Sequence, residues 1–195
     1  MLTPKRLQRL LTRIGKLEAH LLPGTFSLTG RYSPQQRDYT KAFLLLVHAE
    51  LESYFEDRAR TVATNAQSQF QRKGVCTPVL SRLLVYHHAE KGELGPVSND
   101  AVKKAINYYL GRLDNNHGIR EKHLRTIFLP LGINHPDLDA QLTAACNQLS
   151  EKRGDFAHAS FKTHQQVDPK TERENIRLNI LPELRKLEKR LKALR

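Results

Sequence analysis

Residues 33–74, SPQQRDYTKAFLLLVHAELESYFEDRARTVATNAQSQFQRKG, carry the longest helical pattern in the chain. Ser33 followed three residues later by Gln36 is the signature of a capping box, which marks a helix start. Apolar side chains then return every three or four residues, the period of an amphipathic helix. Gly74 ends the pattern. The segment predicts one helix of about ten turns, with a break expected near Thr61–Thr64.

The flanking sequence predicts further helices of the same kind. Leucines at helical spacing precede Pro23-Gly24, and a capping residue followed by proline occurs at Thr77-Pro78 and Asp168-Pro169. No stretch alternates apolar and polar residues as a strand would. The prediction is an all-α bundle of about six to eight helices, forming a single helical domain over residues 1–195. Helices are expected over residues 7–21, 34–73, 79–90, 98–114 and 119–131, from Pro136 to Gly154, and from 169 to 194 with a kink at Pro182.

The charge of the chain indicates a polyanionic partner. Its 32 lysines and arginines outnumber its 20 acidic residues, which gives a net charge of +12. The excess is concentrated in residues 1–20 and 170–195. Nucleic acid or an acidic protein would suit such surfaces, and simple solvated helix faces are the alternative.

Several classes of protein are excluded by the composition. The longest apolar run, residues 42–47, is far too short to span a membrane, and no signal peptide is recognisable. Two cysteines cannot build a disulfide framework or a four-ligand zinc site. His48 and Glu52 lie four residues apart, but no metal-binding, phosphate-loop or nucleophile-elbow motif occurs. We therefore predict a cytoplasmic protein without a metal or other cofactor.

Residues 151–160, EKRGDFAHAS, concentrate the reactive side chains of the chain. Gly154 is expected to end one helix, and Asp155 to cap the next. Arg153 would then lie at a junction of two helices, with His158 in the first turn of the second. A guanidinium, a helix N-terminus and an imidazole together suit a phosphate. The alternative is an ordinary helix corner with a surface arginine and a half-buried histidine.

The spacing Arg153-x4-His158 resembles the R-x4–6-H motif of HEPN-domain ribonucleases. The sequence of residues 48–56, HAELESYFE, is similar to the long early helix of the RiboL-PSP branch of that family. The segments NNHGI at 115–119 and LGI at 131–133 resemble its connecting region. The resemblance covers roughly residues 34–165 and implies a HEPN-like core, with basic N-terminal and C-terminal helices packed on it.

The resemblance implies a metal-independent endoribonuclease. In that chemistry the RNA 2′-hydroxyl attacks the adjacent phosphate and leaves a 2′,3′-cyclic phosphate. His158 would transfer a proton and Arg153 would stabilise the developing charge. Asp155, Ser160 and Glu52 would support them, with Glu52 holding Arg153. The expected RNA-binding residues are Lys152, Lys162, Arg6, Arg9, Arg185 and Lys189.

The family also implies how such a protein assembles and where it acts. A single Arg–His pair provides one proton-transfer group, and family members supply a second by homodimerisation. A toxin–antitoxin or phage-defence role, with an antitoxin or other protein partner, is implied by the family alone. Gly154 departs from the family pattern, which has a polar residue directly after the arginine. Ser160 departs from the tyrosine of the subtype paired with nucleotidyltransferase antitoxins.

Two other functions stay open at this point. A non-catalytic helical module could use the same basic surface to bind RNA, DNA or an acidic protein. A structural protein could pair its final leucine stripe with a partner helix, but that stripe is short and contains Pro182.

Overall fold

A computed structural model describes residues 4–92, 95–134, 138–158 and 167–194, and leaves the side chains of residues 157 and 158 undescribed. Within these ranges the chain consists of helices joined by turns, and no strand occurs. The prediction of an all-α, HEPN-like bundle is confirmed. No helix among the described residues is long and apolar enough to cross a bilayer.

The helices follow the predicted order closely. They are α1 (Lys5–Leu21), α2 (Pro34–Lys73), α3 (Pro78–Lys91), α4 (Asn99–Asp114), α5 (Glu121–Phe128), α6 (Ala140–His158), α7 (Pro169–Glu174) and α8 (Leu181–Ala193). A 3-10 turn, Leu129–Leu131, follows α5, and a π-helical segment, Asn175–Ile180, joins α7 to α8. The expected helix start at Pro136 lies outside the described residues.

The long helix α2 is built as the sequence predicts, except that it has no break. Its capping box is present, since the Ser33 amide donates to Gln36 Oε1 at 2.9 Å and the Gln36 amide donates to Ser33 Oγ at 3.2 Å. Gly74, at φ +65°, follows its last residue. The break expected at Thr61–Thr64 is wrong. Both threonine hydroxyls donate to carbonyls one turn earlier, and α2 nevertheless runs unbroken from Pro34 to Lys73.

The C-terminal helix is irregular directly before its proline. Pro182 has no N–H to donate, so the helical ladder loses a bond one turn earlier. The π-helical segment Asn175–Ile180 lies at this place, and π turns of this kind are common where the ladder is interrupted. The structure therefore shows a change of helix type before Pro182, and the expected kink stays a prediction.

The chain forms two compact units, each assembled from separated stretches of sequence. Unit 1 comprises Met1–Tyr54, Gly118–Glu121 and Asp139–Lys186. Unit 2 comprises Phe55–His117, Lys122–Leu138 and Leu187–Arg195. The expectation of a single domain over the whole chain stays a prediction.

Unit 1 buries the apolar stripe of α1 together with those of α6 and the C-terminal helix. Its buried members include Leu7, Leu10, Ile14, Leu17, Leu142, Leu149, Ile176, Ile180 and Leu184. An ion pair joins α1 to the C-terminal helix in this unit. Arg177 donates from Nε to both carboxylate oxygens of Glu18 at 3.0 Å. That bond raises the pKa of the Arg177 guanidinium, so the pair stays charged.

Unit 2 has an aromatic core with one buried ion pair. Phe55 and Phe128 meet edge to face at 5.9 Å, and the Tyr109 hydroxyl donates to the carbonyl of Ile127 at 2.6 Å. Burial raises the pKa of Tyr109 well above its usual range. Arg58, only 4% exposed, donates from Nη2 to Glu188 at 2.8 Å. Removing one partner of such a buried pair is strongly destabilising.

Candidate active site

The Arg153-x4-His158 motif lies at the C-terminal end of a single helix. α6 runs without interruption from Ala140 to His158, so both positions belong to its last turns. Five helical residues rise about 7.5 Å and turn through roughly 140°. Arg153 is exposed and has no hydrogen bond or ion pair among the residues the structure describes. Within the described ranges its guanidinium is therefore open to a ligand.

The predicted helix junction at Gly154 is wrong. A glycine that ends a helix does so in the left-handed conformation, and Gly154 is not among the glycines with positive φ. Asp155 consequently caps no new helix and is an exposed residue of α6. The motif therefore lies near the negative end of a helix dipole, which favours cations. The expected phosphate cradle at a helix N-terminus is absent from this described segment.

A buried contact of His48 with Ser150 connects α2 to α6 near the motif, and Glu52 lies beside His48 on α2. His48 Nε2 lies 3.3 Å from Ser150 Oγ, and His48 Nδ1 lies 3.7 Å from Glu52 Oε2. His48 and Ser150 are both buried. Because Ser150 precedes Arg153 by three residues on α6, this cluster fixes the helix segment that carries the arginine.

Sequence reasoning identified part of this cluster. It paired His48 with Glu52 but missed Ser150, although a serine in the apolar row of Leu142 and Leu149 is a visible signal. Glu52 was expected to hold Arg153. In the described part of the chain its carboxylate faces His48 instead, and it makes no contact with Arg153.

A buried thiol lies one helical turn before this cluster. Cys146 is fully buried in α6, and burial raises its pKa to about 12. The thiol therefore stays protonated at neutral pH and behaves as an apolar side chain.

Lys152 tethers α6 to α7. Its Nζ donates to both carboxylate oxygens of Glu172, at 2.6 and 2.7 Å, and Glu172 is buried. A lysine held in this way has its charge compensated within the protein. Lys152 was predicted to bind RNA, and this pairing gives it a structural role beside the motif.

The exposed face of α1 is strongly basic. A groove of about 490 Å³ is lined by Lys5, Gln8, Arg9, Thr12, Arg13 and Lys16. Arg13 Nε donates to Glu50 at 2.9 Å, whereas Arg9 is exposed and unpaired among the described residues. Arg6 is half-buried. The α1 face therefore offers several cations to a polyanion.

The remaining predicted residues lie in different places. Arg185 is exposed in unit 1, and Lys189 is exposed in unit 2. Ser160 and Lys162 lie outside the described residues. No cluster of three or more His, Cys, Asp or Glu side chains able to hold a metal occurs in the described ranges.

Comparison with known proteins identifies a family for the chain. The family model described as RiboL-PSP-HEPN matches residues 8–181, which include α1 from Gln8 onward and the whole of the Arg153–His158 segment. No curated protein and no solved structure matches the chain.

Proposed function

The chain belongs to the RiboL-PSP-HEPN family, and from that premise we propose that it is a metal-independent endoribonuclease with Arg153 and His158 as its catalytic residues. The observation that carries the proposal is the state of Arg153. Among the described residues Arg153 is exposed and unpaired, and it lies on the same helix as His158. It follows by one turn Ser150, whose hydroxyl contacts the buried His48. An arginine so placed suits a phosphate.

The proposed reaction is an internal transfer within RNA. The 2′-oxygen forms a bond to the adjacent phosphorus while the bond from phosphorus to the 5′-oxygen of the next nucleotide breaks. A base removes the proton of the 2′-hydroxyl, and an acid gives a proton to the departing 5′-oxygen. The products are a 2′,3′-cyclic phosphate and a 5′-hydroxyl. Arg153 stabilises the negative charge that grows on the phosphate oxygens, and His158 is the group suited to proton transfer near neutral pH.

One histidine cannot act as base and acid in the same step, so we propose a homodimer in which two motifs face one cleft. Asp155 would orient Arg153 or His158, and Ser160 would donate to a phosphate oxygen. Light scattering tests the assembly. A dimer should have twice the chain mass of 22.4 kDa. A monomer at micromolar concentration would leave the site without its second proton-transfer group and would contradict this arrangement.

Catalysis is tested by substitution at the two motif positions. His158→Ala and Arg153→Ala should each lower cleavage of a mixed-sequence RNA by at least about 100-fold, because acid–base catalysis contributes about 10²–10⁴. Arg153→Lys should not restore the rate, since an ammonium lacks the planar fork. Matched controls are His20→Ala and Arg72→Ala, two exposed residues elsewhere. Equal rates for wild type and His158→Ala would refute the assignment.

The RNA path is tested through its salt dependence. Neutralising the four predicted contacts should flatten the dependence of log K on log salt by about 0.7 for each lost single-strand phosphate contact. A control variant with the same charge change should alter the slope much less. The test set is Arg6, Arg9, Arg185 and Lys189, and the control set is Arg31, Arg72, Lys73 and Lys103.

A second function is favoured by one observation. Gly154 provides no side chain beside Arg153, where the family pattern has a polar group to support the arginine. Without that support Arg153 could bind a phosphate but not stabilise its transition state. The chain would then be a module that binds RNA with the same basic surface and does not cleave it. Tight RNA binding by the wild type with no cyclic-phosphate product would select this alternative.

A further inference from the structure

Unit 2 contains a concave surface on which three arginines surround an apolar floor. The depression has a volume of about 520 Å³, in the range of ligand sites. Arg82 from α3, Arg112 from α4 and Arg125 from α5 line it. Two apolar side chains of the floor stay exposed, Val85 at 67% and Leu129 at 53%. No carboxylate lines this space among the described residues.

A second depression of about 380 Å³ adjoins the first and shares Arg112 and Thr126 with it. It is polar, lined by amides, imidazoles and a lysine, and its described lining also lacks a carboxylate. His123 Nδ1 is buried there without a hydrogen-bond partner in the described part of the chain. The further lining residues are Asn115, Asn116, His117 and Lys122. We call the two depressions together the arginine groove.

Gly132 makes room for one of the arginines of the groove. Its φ is +103°, and a Cβ at this position would lie 2.7 Å from Cδ of Arg82 and 2.8 Å from Nε. The Arg82 side chain therefore crosses the backbone where only a glycine permits it. This close packing holds the guanidinium stem at the wall of the groove, so Arg82 is positioned before any ligand binds.

Two of the groove arginines, Arg82 and Arg112, differ from other arginines of the same unit. Arg58 bonds to Glu188, and Arg60 bonds to Asp114. Arg82 and Arg112 have no such carboxylate in the described part of the chain. Unpaired guanidinium groups around a concave floor are complementary to an anion from outside the unit.

We propose that the arginine groove binds single-stranded RNA, with phosphates on the guanidinium groups and a base on the floor beside Tyr86. Proteins that hold single strands combine cations along the backbone with aromatic and apolar surfaces for the bases. The amide and imidazole groups of the polar depression can hydrogen-bond base edges. An acidic peptide could pair its carboxylates with the arginines. It would not account for an aromatic and apolar floor lying beside base-sized polar groups.

The proposal rests on the proposed function only in taking RNA as the ligand, and its test needs no cleavage. The probe is a fluorescent 2′-O-methyl RNA of mixed sequence and about 12 nucleotides, within the usual range of single-strand sites. Such a strand has no free 2′-hydroxyl and cannot be cut by the proposed reaction. Binding is followed by anisotropy over a range of salt concentrations.

The test variant replaces Arg82, Arg112 and Arg125 by glutamine. The loss of the phosphate contacts of Arg82 and Arg112 alone should flatten the salt slope by about 1.4 and weaken binding at low salt by about tenfold or more. The matched control has the same charge change at residues that line neither depression. It is Arg72→Gln, Lys73→Gln and Lys103→Gln, and it should change the slope much less.

Two further variants keep the result interpretable. Arg112→Gln with Arg125→Gln leaves the contact of Arg82 with Gly132 in place, so it separates binding from folding. Tyr86→Leu keeps apolar area but removes the aromatic ring, and it should weaken binding about fivefold or more. Circular dichroism checks the fold of each.

Three results would overturn the proposal: equal losses in the groove and control variants, no effect of Tyr86→Leu, or displacement of the RNA by polyglutamate of matched charge at the same concentration as by unlabelled RNA. The last result would assign the groove to an acidic polypeptide. Groove-dependent binding by a wild type that never cleaves RNA would support the groove and contradict only the ribonuclease proposal.

Discussion

Replacing Gly154 by alanine should stabilise the protein. Gly154 lies inside α6 with helical backbone geometry, and a Cβ built there meets no heavy atom within 4 Å. Alanine therefore introduces no clash. It restricts the unfolded chain and has the higher helix propensity, effects that together contribute about 0.5–1 kcal/mol. For a chain of this length the melting temperature should rise by about 1–4 °C.

Whether Gly154→Ala raises or lowers the melting temperature distinguishes a continuous helix at Gly154 from a helix that ends there. If Gly154 ended a helix in the left-handed conformation, alanine would be strained there and would destabilise the protein by about 1 kcal/mol. Thermal unfolding by circular dichroism, supported by urea titration, measures the difference. A lower melting temperature for Gly154→Ala would refute the continuous helix.

Two other glycines serve as matched controls. Gly15 also lies within a helix, and a Cβ added to it would meet no heavy atom within 4 Å, so Gly15→Ala should stabilise by a similar amount. Gly132 has φ +103° and would direct a Cβ into Arg82, so Gly132→Ala should destabilise by about 1–3 kcal/mol.

The buried and charged groups lead to three further predictions. Arg58→Ala should lower the free energy of unfolding by about 3–5 kcal/mol, since it removes the cation of a buried ion pair; urea titration measures this, and a loss below about 1 kcal/mol would contradict it. Ellman's reagent should modify only Cys76 in the native protein, because Cys76 is exposed and burial raises the pKa of Cys146 to about 12, while both should react in denaturant. A backbone N–H at the start of α6 lowers the pKa of Asp139 below its unfolded value. Asp139 therefore contributes stability at pH values above about 3.9, and this is lost as the pH falls through its lower folded pKa. Asp139→Asn should make the free energy of unfolding fall less steeply as the pH is lowered, which urea titration at several pH values measures. The same dependence on pH in wild type and variant would exclude this contribution.

Sequence patterns predicted most of the fold because local signals determine helices and their ends. The capping box at Ser33 and the proline-marked starts after Thr77 and Asp168 lie where they were expected. Gly74 and Gly92 end their helices in the left-handed conformation. In these cases the local conformational preference and the tertiary structure agree.

Gly154 and Thr61–Thr64 show where local signals fail. A glycine is compatible with both a helix end and a helix interior, and only packing on both sides decides between them. The threonines weaken a helix locally, but their neighbours Val62 and Ala63 are buried in unit 2. Burial of that face outweighs a loss of about a few tenths of a kcal/mol in propensity.

The candidate site was predictable only in part. The Arg153–His158 spacing can be read directly from the sequence, whereas the contact of His48 with Ser150 joins residues 102 positions apart. The same holds for the arginine groove, whose arginines come from three helices. No spacing rule connects such residues, because only the folded chain brings them together.

The order of the segments in unit 1 has a consequence for protein synthesis. Glu18 on α1 pairs with Arg177, which follows it by 159 residues, so at about 5–20 residues per second the ribosome makes the second partner roughly 8–30 s after the first. During that time the buried leucines of α1 lack the later helices of unit 1 against which they pack. The proposed nuclease would thus gain activity only after its messenger has been translated through residue 186, where the last segment of unit 1 ends. A chain whose synthesis stopped before residue 186, for example because its mRNA had been cleaved, would lack part of unit 1.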